Sequence, residues 1–533
     1  MVNIINFYNQ YLYFPFIRKI MRGYFRLKKD ENLHIIHEIK HELSQLILFD
    51  SNKENSNLIF GSAYEISEIV VRQYLYRSLL GFTFSRILLF SLGKNSSFIY
   101  PLPKLWQQAL IKKNIKVNKF LCSLLFILFV SYLIFKSFFT YFKLIINSIR
   151  FISNKKESEK FIYFFKLNNN NFPTNKEFKN YDIISWYLNW NHKNKEIKII
   201  KHDYKEKENL NLSEYNILYN KYFYTSNFSL KFFLKFSYFF LKMIFILFIF
   251  IILRKWYFLI ILEESVLSNY IRNKQKNEIA CEYLFHSSDW YYRPLWTYEA
   301  EKFGSKIYLY FYATVHNQYE NLHSDGWNMS TWSNYIIWNK YQKEYLERVI
   351  ETKNFNSYVV GPIWFNDSSV TMPNLPNKFI AVFDNQPHRS SFYRILGHPE
   401  EYLVPKVINK FLDDILFVAE QQNIYFVHKP KRDFIRKYHH INYKNKLIKI
   451  EGNQLYQRIN PGIAAIRLIK KSTCVISLPY TSTAIIAQSL GIPSAYYDPT
   501  GKIKKNTTAA NGVTILRNKK ELLIWVNTYK EQN

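Results

Sequence analysis

The chain has 533 residues, 48% of them apolar, and a formal net charge of +31; this length leaves room for two to four domains with large cores. Three widely separated cysteines, Cys122, Cys281 and Cys474, exclude a disulfide scaffold and a Cys-based zinc cluster, and suit a reducing compartment. The positive charge fits nucleic acid or an anionic membrane surface, where each basic residue contributes about 1 kcal/mol. Its lysines are scattered among Asn, Ile, Phe and Tyr, however, with no RNA-binding aromatic signature, zinc finger or basic recognition helix, so a nucleic-acid partner is not expected.

Met1–Pro15 is aromatic and polar and lacks the small-residue end of a signal peptide. Residues 1–119 read as a mainly helical region, with short strand candidates at Leu58–Phe60 and Ser97–Tyr100 and a helix over Lys104–Lys112. An apolar segment over 120–152 follows, its core FLCSLLFILFVSYLIF interrupted later by Lys136 and Lys143. From Lys160 a βα rhythm begins: strand 161–167, helix 181–190 and strand 196–202. A second apolar stretch, 230–262, is broken by Lys242, Arg254 and Lys255.

Each apolar stretch approaches the roughly 20 residues that a spanning helix needs. If both crossed, the lysine-rich piece between them would lie opposite the lysine-rich region before Phe120, against the positive-inside tendency. It would also separate strand 161–167 from the strands that should pair with it. The expectation is therefore monotopic embedding in the cytoplasmic face of the plasma or inner membrane, with spanning as the alternative.

After the second apolar stretch the elements alternate again. Strand 280–285, helix 293–303, strands 306–312 and 335–338, helix 340–351 and strand 357–360 lead to Gly361–Pro362. Such alternation predicts parallel sheets covered by helices. The polar, proline-bearing stretch 366–377 reads as a linker. Beyond it come strand 379–383, helix 404–421, strand 424–428, helix 462–471, strand 474–478, a helix and strand 494–497. The predicted organisation is a helical region (1–119), a membrane-associating segment (120–152), an α/β unit (153–365, with the apolar insertion 230–262) and a second α/β unit (378–533).

In open α/β sheets, ligands bind at the carboxyl ends of the strands. Strand 379–383 empties there into Asp384 and Asn385, and strand 424–428 into His428, Lys429 and Arg432. Charge-assisted donors of this kind complement a diphosphate, although Lys429, Lys431 and Arg432 equally suit a solvated face. Strand 474–478 ends in a tight turn and three consecutive hydroxyls, Thr481, Ser482 and Thr483, at the start of a helix. Unpaired N–H groups and the positive helix end make such a place an anion site. Ordinary N-capping accounts for only one of the three.

The sequence HKP at His428–Pro430 and SLPYTSTAIIAQSLGIPSAYYDP at Ser477–Pro499 resemble two-domain glycosyltransferases of surface-polysaccharide assembly. Their His-Pro-type and Ser/Thr motifs are similar to those of capsule and lipopolysaccharide enzymes, bacterial sialyltransferases and CDP-glycerol glycerophosphotransferases. Ile99–Asn118, Trp338–Val349 and Tyr358–Trp364 are similar to segments of surface-carbohydrate biosynthesis proteins. Lys429 separates His428 from Pro430, which leaves the subfamily open.

The resemblance implies a GT-B-like fold of two Rossmann-like domains facing a cleft. It implies that His428 assists the donor phosphate or leaving nucleotide and that Thr481, Ser482 and Thr483 hold phosphate. It further implies a transfer without metal or other cofactor, in keeping with the lack of a DxD motif. The donor is expected to be a nucleotide-activated sugar, CMP-linked by preference, and the acceptor a growing surface glycan or lipid-linked glycan. An acceptor base would come from the N-terminal unit: Asp289, which also fits a turn aspartate, or else Glu299 or Asp325. Transfer of a polyol phosphate from a CDP-linked donor and a non-catalytic assembly scaffold stay open as alternatives.

Overall fold

The computed structural model describes residues 33–46, 53–94, 97–150, 160–167, 171–173, 182–191, 199–204, 216–220, 229–252, 255–287, 292–314, 326–363, 370–385, 387, 404–432 and 440–531. Asp289 and Asp325 lie outside them.

Two parallel sheets organise the chain. The first has strands β1 (Phe161–Phe164), β2 (Ile199–His202), β3 (Ile217–Tyr219), β4 (Glu282–His286), β5 (Lys306–Tyr310), β6 (Asn334–Ile337) and β7 (Asn356–Val359), in the order β3-β2-β1-β4-β5-β6-β7. The second has β8 (Phe379–Phe383), β9 (Tyr425–Lys429), β10 (Tyr456–Arg458), β11 (Cys474–Ser477), β12 (Ser494–Tyr497) and β13 (Thr514–Leu516), in the order β10-β9-β8-β11-β12-β13. Both orders follow the doubly wound 3-2-1-4-5-6 pattern, which reverses direction between the first and fourth strands. The central strands are apolar runs buried on both faces, FIYF in β1 and FIAVF in β8, as sheets covered on two sides require. This is the two-unit Rossmann-like, GT-B-like plan that the sequence predicts.

The helical region before residue 119 is welded to the first unit. Arg72 pairs with Glu351 at 2.7 Å, Gln73 donates to Met329 O, and the Ser62 N–H donates to Glu299. Its helices pack around Phe258–Arg272, a helix almost wholly buried. Two strand expectations here are corrected. Leu58–Phe60 closes the helix Lys53–Phe60, and Ser97–Tyr100 contributes only one bridge, Phe98 to Val117. Three apolar residues carry no periodicity with which to tell strand from helix.

The two apolar stretches form the helices Lys119–Arg150, about 48 Å long at 1.5 Å per residue, and Leu230–Ile252. They run antiparallel, because Phe126 meets Trp256 while Tyr141 stacks on Phe240 at 4.0 Å. Only 17% and 33% of their most apolar windows are buried, so neither is a core helix. Phe120, Leu124, Ile127, Phe135, Phe139, Phe142 and Ile146 on one, and Leu230, Leu234, Leu241, Phe245, Phe248 and Ile252 on the other, stay exposed. Their spacing of three and four residues places each set on one stripe.

Candidate active site at the switch point of the C-terminal sheet

In the second sheet the reversal lies between β8 and β11, and the strand register gathers the polar residues there. Phe383 is opposite Lys429 on one side and Ser477 on the other, so Asp384 follows in the row between them. With neighbouring strands about 4.8 Å apart, the end of β9 and the turn after β11 lie roughly 10 Å apart across it.

The turn after β11 is held by its own hydroxyls. Thr481 Oγ1 donates to Leu478 O at 2.8 Å, and the Thr483 and Ser477 hydroxyls pair at 2.9 Å. Tyr480 adopts φ +64°, a left-handed conformation that costs a side-chain-bearing residue on the order of 1–3 kcal/mol and persists where the surroundings enforce it. Here Tyr496 holds the turn by donating from its hydroxyl to Thr481 O at 2.9 Å. The helix Ser482–Ser489 then starts with Thr481 in the N-cap position but without a side-chain cap bond. Its first-turn N–H groups are left open, and among the described residues the Ser482 hydroxyl makes no hydrogen bond. The three hydroxyls thus divide: Thr481 and Thr483 build the turn, while half-buried Ser482 keeps its hydroxyl without an internal partner among the described residues. An open helix N-terminus of this kind accepts phosphate oxygens.

The wall formed by β8 and β9 is a buried network. His428 is wholly buried; its Nδ1 lies 2.9 Å from the Tyr456 hydroxyl, and its Nε2 lies 3.1 Å from Asp384 Oδ2. The latter contact is off the line of a well-formed N–H···O bond. Tyr443 donates its hydroxyl to the same carboxylate. Burial first, and then the Asp384 charge, hold the Tyr443 phenol protonated. Wholly buried and with its Nδ1 bonded to Tyr456, His428 has the geometry of a positioning group and not of a direct phosphate contact.

Lys429, next in β9, is half-buried and forms no ion pair among the described residues. Burial lowers its ammonium to about 8, while the Asp384 charge pulls the other way. This is a cation beside the switch point with donors to spare. Asn385 is half-buried beyond Asp384, and Arg432 is exposed. Asp498, at the end of β12, is buried and spends its carboxylate on Thr500 and on the Ile503 N–H.

Glu299, an expected alternative base, sits elsewhere. It is 1% exposed, and its Oε1 lies 2.7 Å from Arg272 Nη2 and accepts from the Ser62 N–H at 2.8 Å. Burial raises its pKa, but the Arg272 bond and charge outweigh that and leave it below the usual carboxylate range. It ties the helical region to the first unit, an arrangement unlike that of a proton acceptor. At the corresponding switch point of the first sheet, β4 ends in buried His286, whose ring packs against Tyr310 and Tyr312.

The sequence reading did not single out His286, Tyr443 or Tyr456. A histidine closing an apolar strand was the available signal for the first. The tyrosines had none, since they meet His428 and Asp384 only through the fold.

Residues 239–526, more than half of the chain, match the family model described as polysaccharide biosynthesis PFTS motif protein. The chain belongs to this family. Pro479-Tyr480-Thr481-Ser482 differs from the four letters of that description only by Tyr for Phe, and it forms the strained turn and open helix start just described. No curated protein sequence matches the chain. Among solved structures, a variant of the wall teichoic acid polymerase TagF is similar at 13% identity and TM-score 0.37, over 75% of this chain and 90% of its own. UDP-GlcNAc 2-epimerase from Methanocaldococcus jannaschii is similar at 13% identity and TM-score 0.34, over 70% and 93%. The glycotransferase of kitacinnamycin is similar at 8% identity and TM-score 0.37, over 70% and 91%.

Proposed function

We propose that this family member is a membrane-associated glycosyltransferase that moves a sugar from a nucleotide-activated donor to a growing surface glycan or lipid-linked acceptor. The observation that carries the reading is the open helix start at Ser482–Ala484, which shares the carboxyl end of the sheet with Lys429, one strand to either side of β8. The donor phosphate sits between them, where N–H groups, the Ser482 hydroxyl and the Lys429 ammonium offset the charge that grows on the departing nucleotide. His428 and Asp384 hold that wall in place, and Asn385 and Arg432 lie where the rest of the donor extends. The acceptor hydroxyl attacks the anomeric carbon, the bond from that carbon to the phosphate oxygen breaks, and the acceptor proton passes to a base of the first unit. Asp289, just beyond β4, is the residue assigned to that role.

A CMP-linked sugar is the donor favoured by the motif resemblance, and the transfer is read as metal-independent. The test is thermal stabilisation of the purified protein by nucleotides in EDTA. Stabilisation by CMP and not by UMP or GMP, lost in Ser482→Ala with Lys429→Met, is expected. Equal response of wild type and double variant would sink the assignment.

The antiparallel helices supply the membrane anchor. Lys231, Lys235 and Lys242 each directly follow a residue of the exposed apolar stripe, as do Lys136 and Lys143. Lysines flanking an apolar face along its length suit helices lying in the plane of an anionic interface. An enzyme placed this way on the cytoplasmic face meets a lipid-anchored acceptor where it resides. Flotation with vesicles containing phosphatidylglycerol tests this, and full release by alkaline carbonate is expected for in-plane helices.

A further inference from the structure

The outer edge of the C-terminal sheet carries a cavity of about 680 Å³, away from the switch point. It runs along β13, the last strand of its sheet, and is bordered by the helix Lys519–Lys530, the loop 505–508 and Tyr341 from the first unit. Its volume is within the range of small-molecule sites, about 300–1,000 Å³.

We infer that this cavity is a holding subsite for a neutral oligosaccharide, the glycan being extended, separate from the donor site. The inference rests on the glycosyltransferase reading and adds a second place where the product chain is gripped.

Three observations carry it. First, the lining offers partly exposed aromatic faces: Tyr341, Trp525 and Tyr529, the last two with ring centroids 4.9 Å apart. Flat apolar faces beside polar groups suit the faces and hydroxyls of sugar rings. Second, Asn506 and Thr508 line it, and their side chains make no hydrogen bond among the described residues, so amide and hydroxyl groups are available at the rim. Third, its charge is balanced. The charged lining residues are Lys505 and Glu521, and they pair with each other at 3.0 Å. In a chain of net charge +31, a cavity without excess positive charge is a poor phosphate or nucleic-acid site and a fitting one for an uncharged polyhydroxyl chain.

The cavity also depends on both units. Gly512 has φ +80°, and a Cβ there would come within 3.1 Å of the Tyr341 ring, so Tyr341 closes over bare backbone. A chain seated there touches both halves of the protein. A peptide added as a strand to β13 is the competing occupant, but a three-residue edge offers little backbone to pair with.

The test uses the full-length protein in nanodiscs and neutral oligosaccharides released by mild hydrolysis from the host's own surface polysaccharide. Saturation-transfer NMR and tryptophan fluorescence read binding, and CMP thermal stabilisation is measured in parallel. Saturable binding is expected, weakened at least tenfold in Trp525→Ala and in Asn506→Trp, which fills the rim from an exposed position. The CMP response should be unchanged in both. Oligosaccharide affinity equal to wild type in folded Asn506→Trp overturns the inference, as does absence of binding by a wild-type protein that responds to CMP. Binding of an extended peptide at the cavity in place of sugar also overturns it. Sugar binding without any CMP response leaves the cavity assignment standing and removes the donor-site reading instead.

Discussion

The three hydroxyls after β11 look equivalent in the sequence, and the structure predicts that they fail differently. Removing the Ser482 hydroxyl touches no internal hydrogen bond among the described residues, so folding stability should stay within about 0.5 kcal/mol of wild type. If that hydroxyl donates to a charged phosphate oxygen, its loss costs about 1.5–3 kcal/mol of binding, or roughly ten- to hundredfold in Kd. Thr483→Ala instead breaks the 2.9 Å pairing with Ser477, and Thr481→Ala breaks the bond to Leu478 O. Each neutral bond contributes about 1 kcal/mol of stability, equivalent to about 2–4 °C in Tm for a unit of this size. Calorimetric titration of CMP into each purified variant, paired with urea unfolding, separates the two outcomes. Unchanged CMP affinity in Ser482→Ala, or a stability loss there equal to that of Thr483→Ala, would refute the division of labour.

Five further outcomes follow from the geometry. Asp384→Ala should destabilise the C-terminal unit by about 1–3 kcal/mol, because the buried Tyr443 hydroxyl is left without its acceptor, whereas Asp384→Asn, which keeps an acceptor oxygen there, should lose less; chemical denaturation compares them. Lys429 titrates near 8, below an ordinary lysine, so nucleotide affinity should fall as pH rises through about 8 and the fall should vanish in Lys429→Met. For the same group the unfolded pKa is the higher, so its charged form penalises the folded state and stability should rise from about pH 8 toward the ordinary lysine range, as unfolding across that window will show. Gly512→Ala should cost about 1–3 kcal/mol through its left-handed backbone and displace Tyr341, visible as altered fluorescence or protease sensitivity. Phe245→Asp with Phe248→Asp should release the protein from anionic vesicles while CMP stabilisation persists, and retention on the vesicles would count against the apolar stripe as anchor.

Much of this was legible from the residues because long-range geometry was not needed to see it. FIAVF in β8 and CVIS in β11 are short apolar runs bounded by turn signals, the pattern of strands buried on both faces, and their alternation with helices implies parallel order. The edge strands β3, β10 and β13 were not visible. Each is three residues long and forms only because a neighbouring strand offers unpaired N–H and C=O groups. The greasy stretches announced their apolarity, but a composition cannot say which face stays open. That depends on Tyr141 stacking on Phe240 and on the buried helix Phe258–Arg272 filling the inner side.

By itself, the sequence determined two α/β units, the hydroxyl-rich helix start at Thr481–Thr483 and the basic strand end at His428–Lys429, all properties of contiguous residues and their periodicity. Tertiary structure decided which of those groups are free to act. Pairing Phe383 with both Lys429 and Ser477 set the two motifs across one crevice. Burial beside Asp384 and Tyr456 turned His428 inward, and the bonds to Leu478 and Ser477 left Ser482 alone of the three hydroxyls without an internal hydrogen bond among the described residues. A hydrogen bond has one geometry and a buried polar group needs a partner, so whether a side chain builds the site or serves the ligand depends on neighbours that the chain brings from far away.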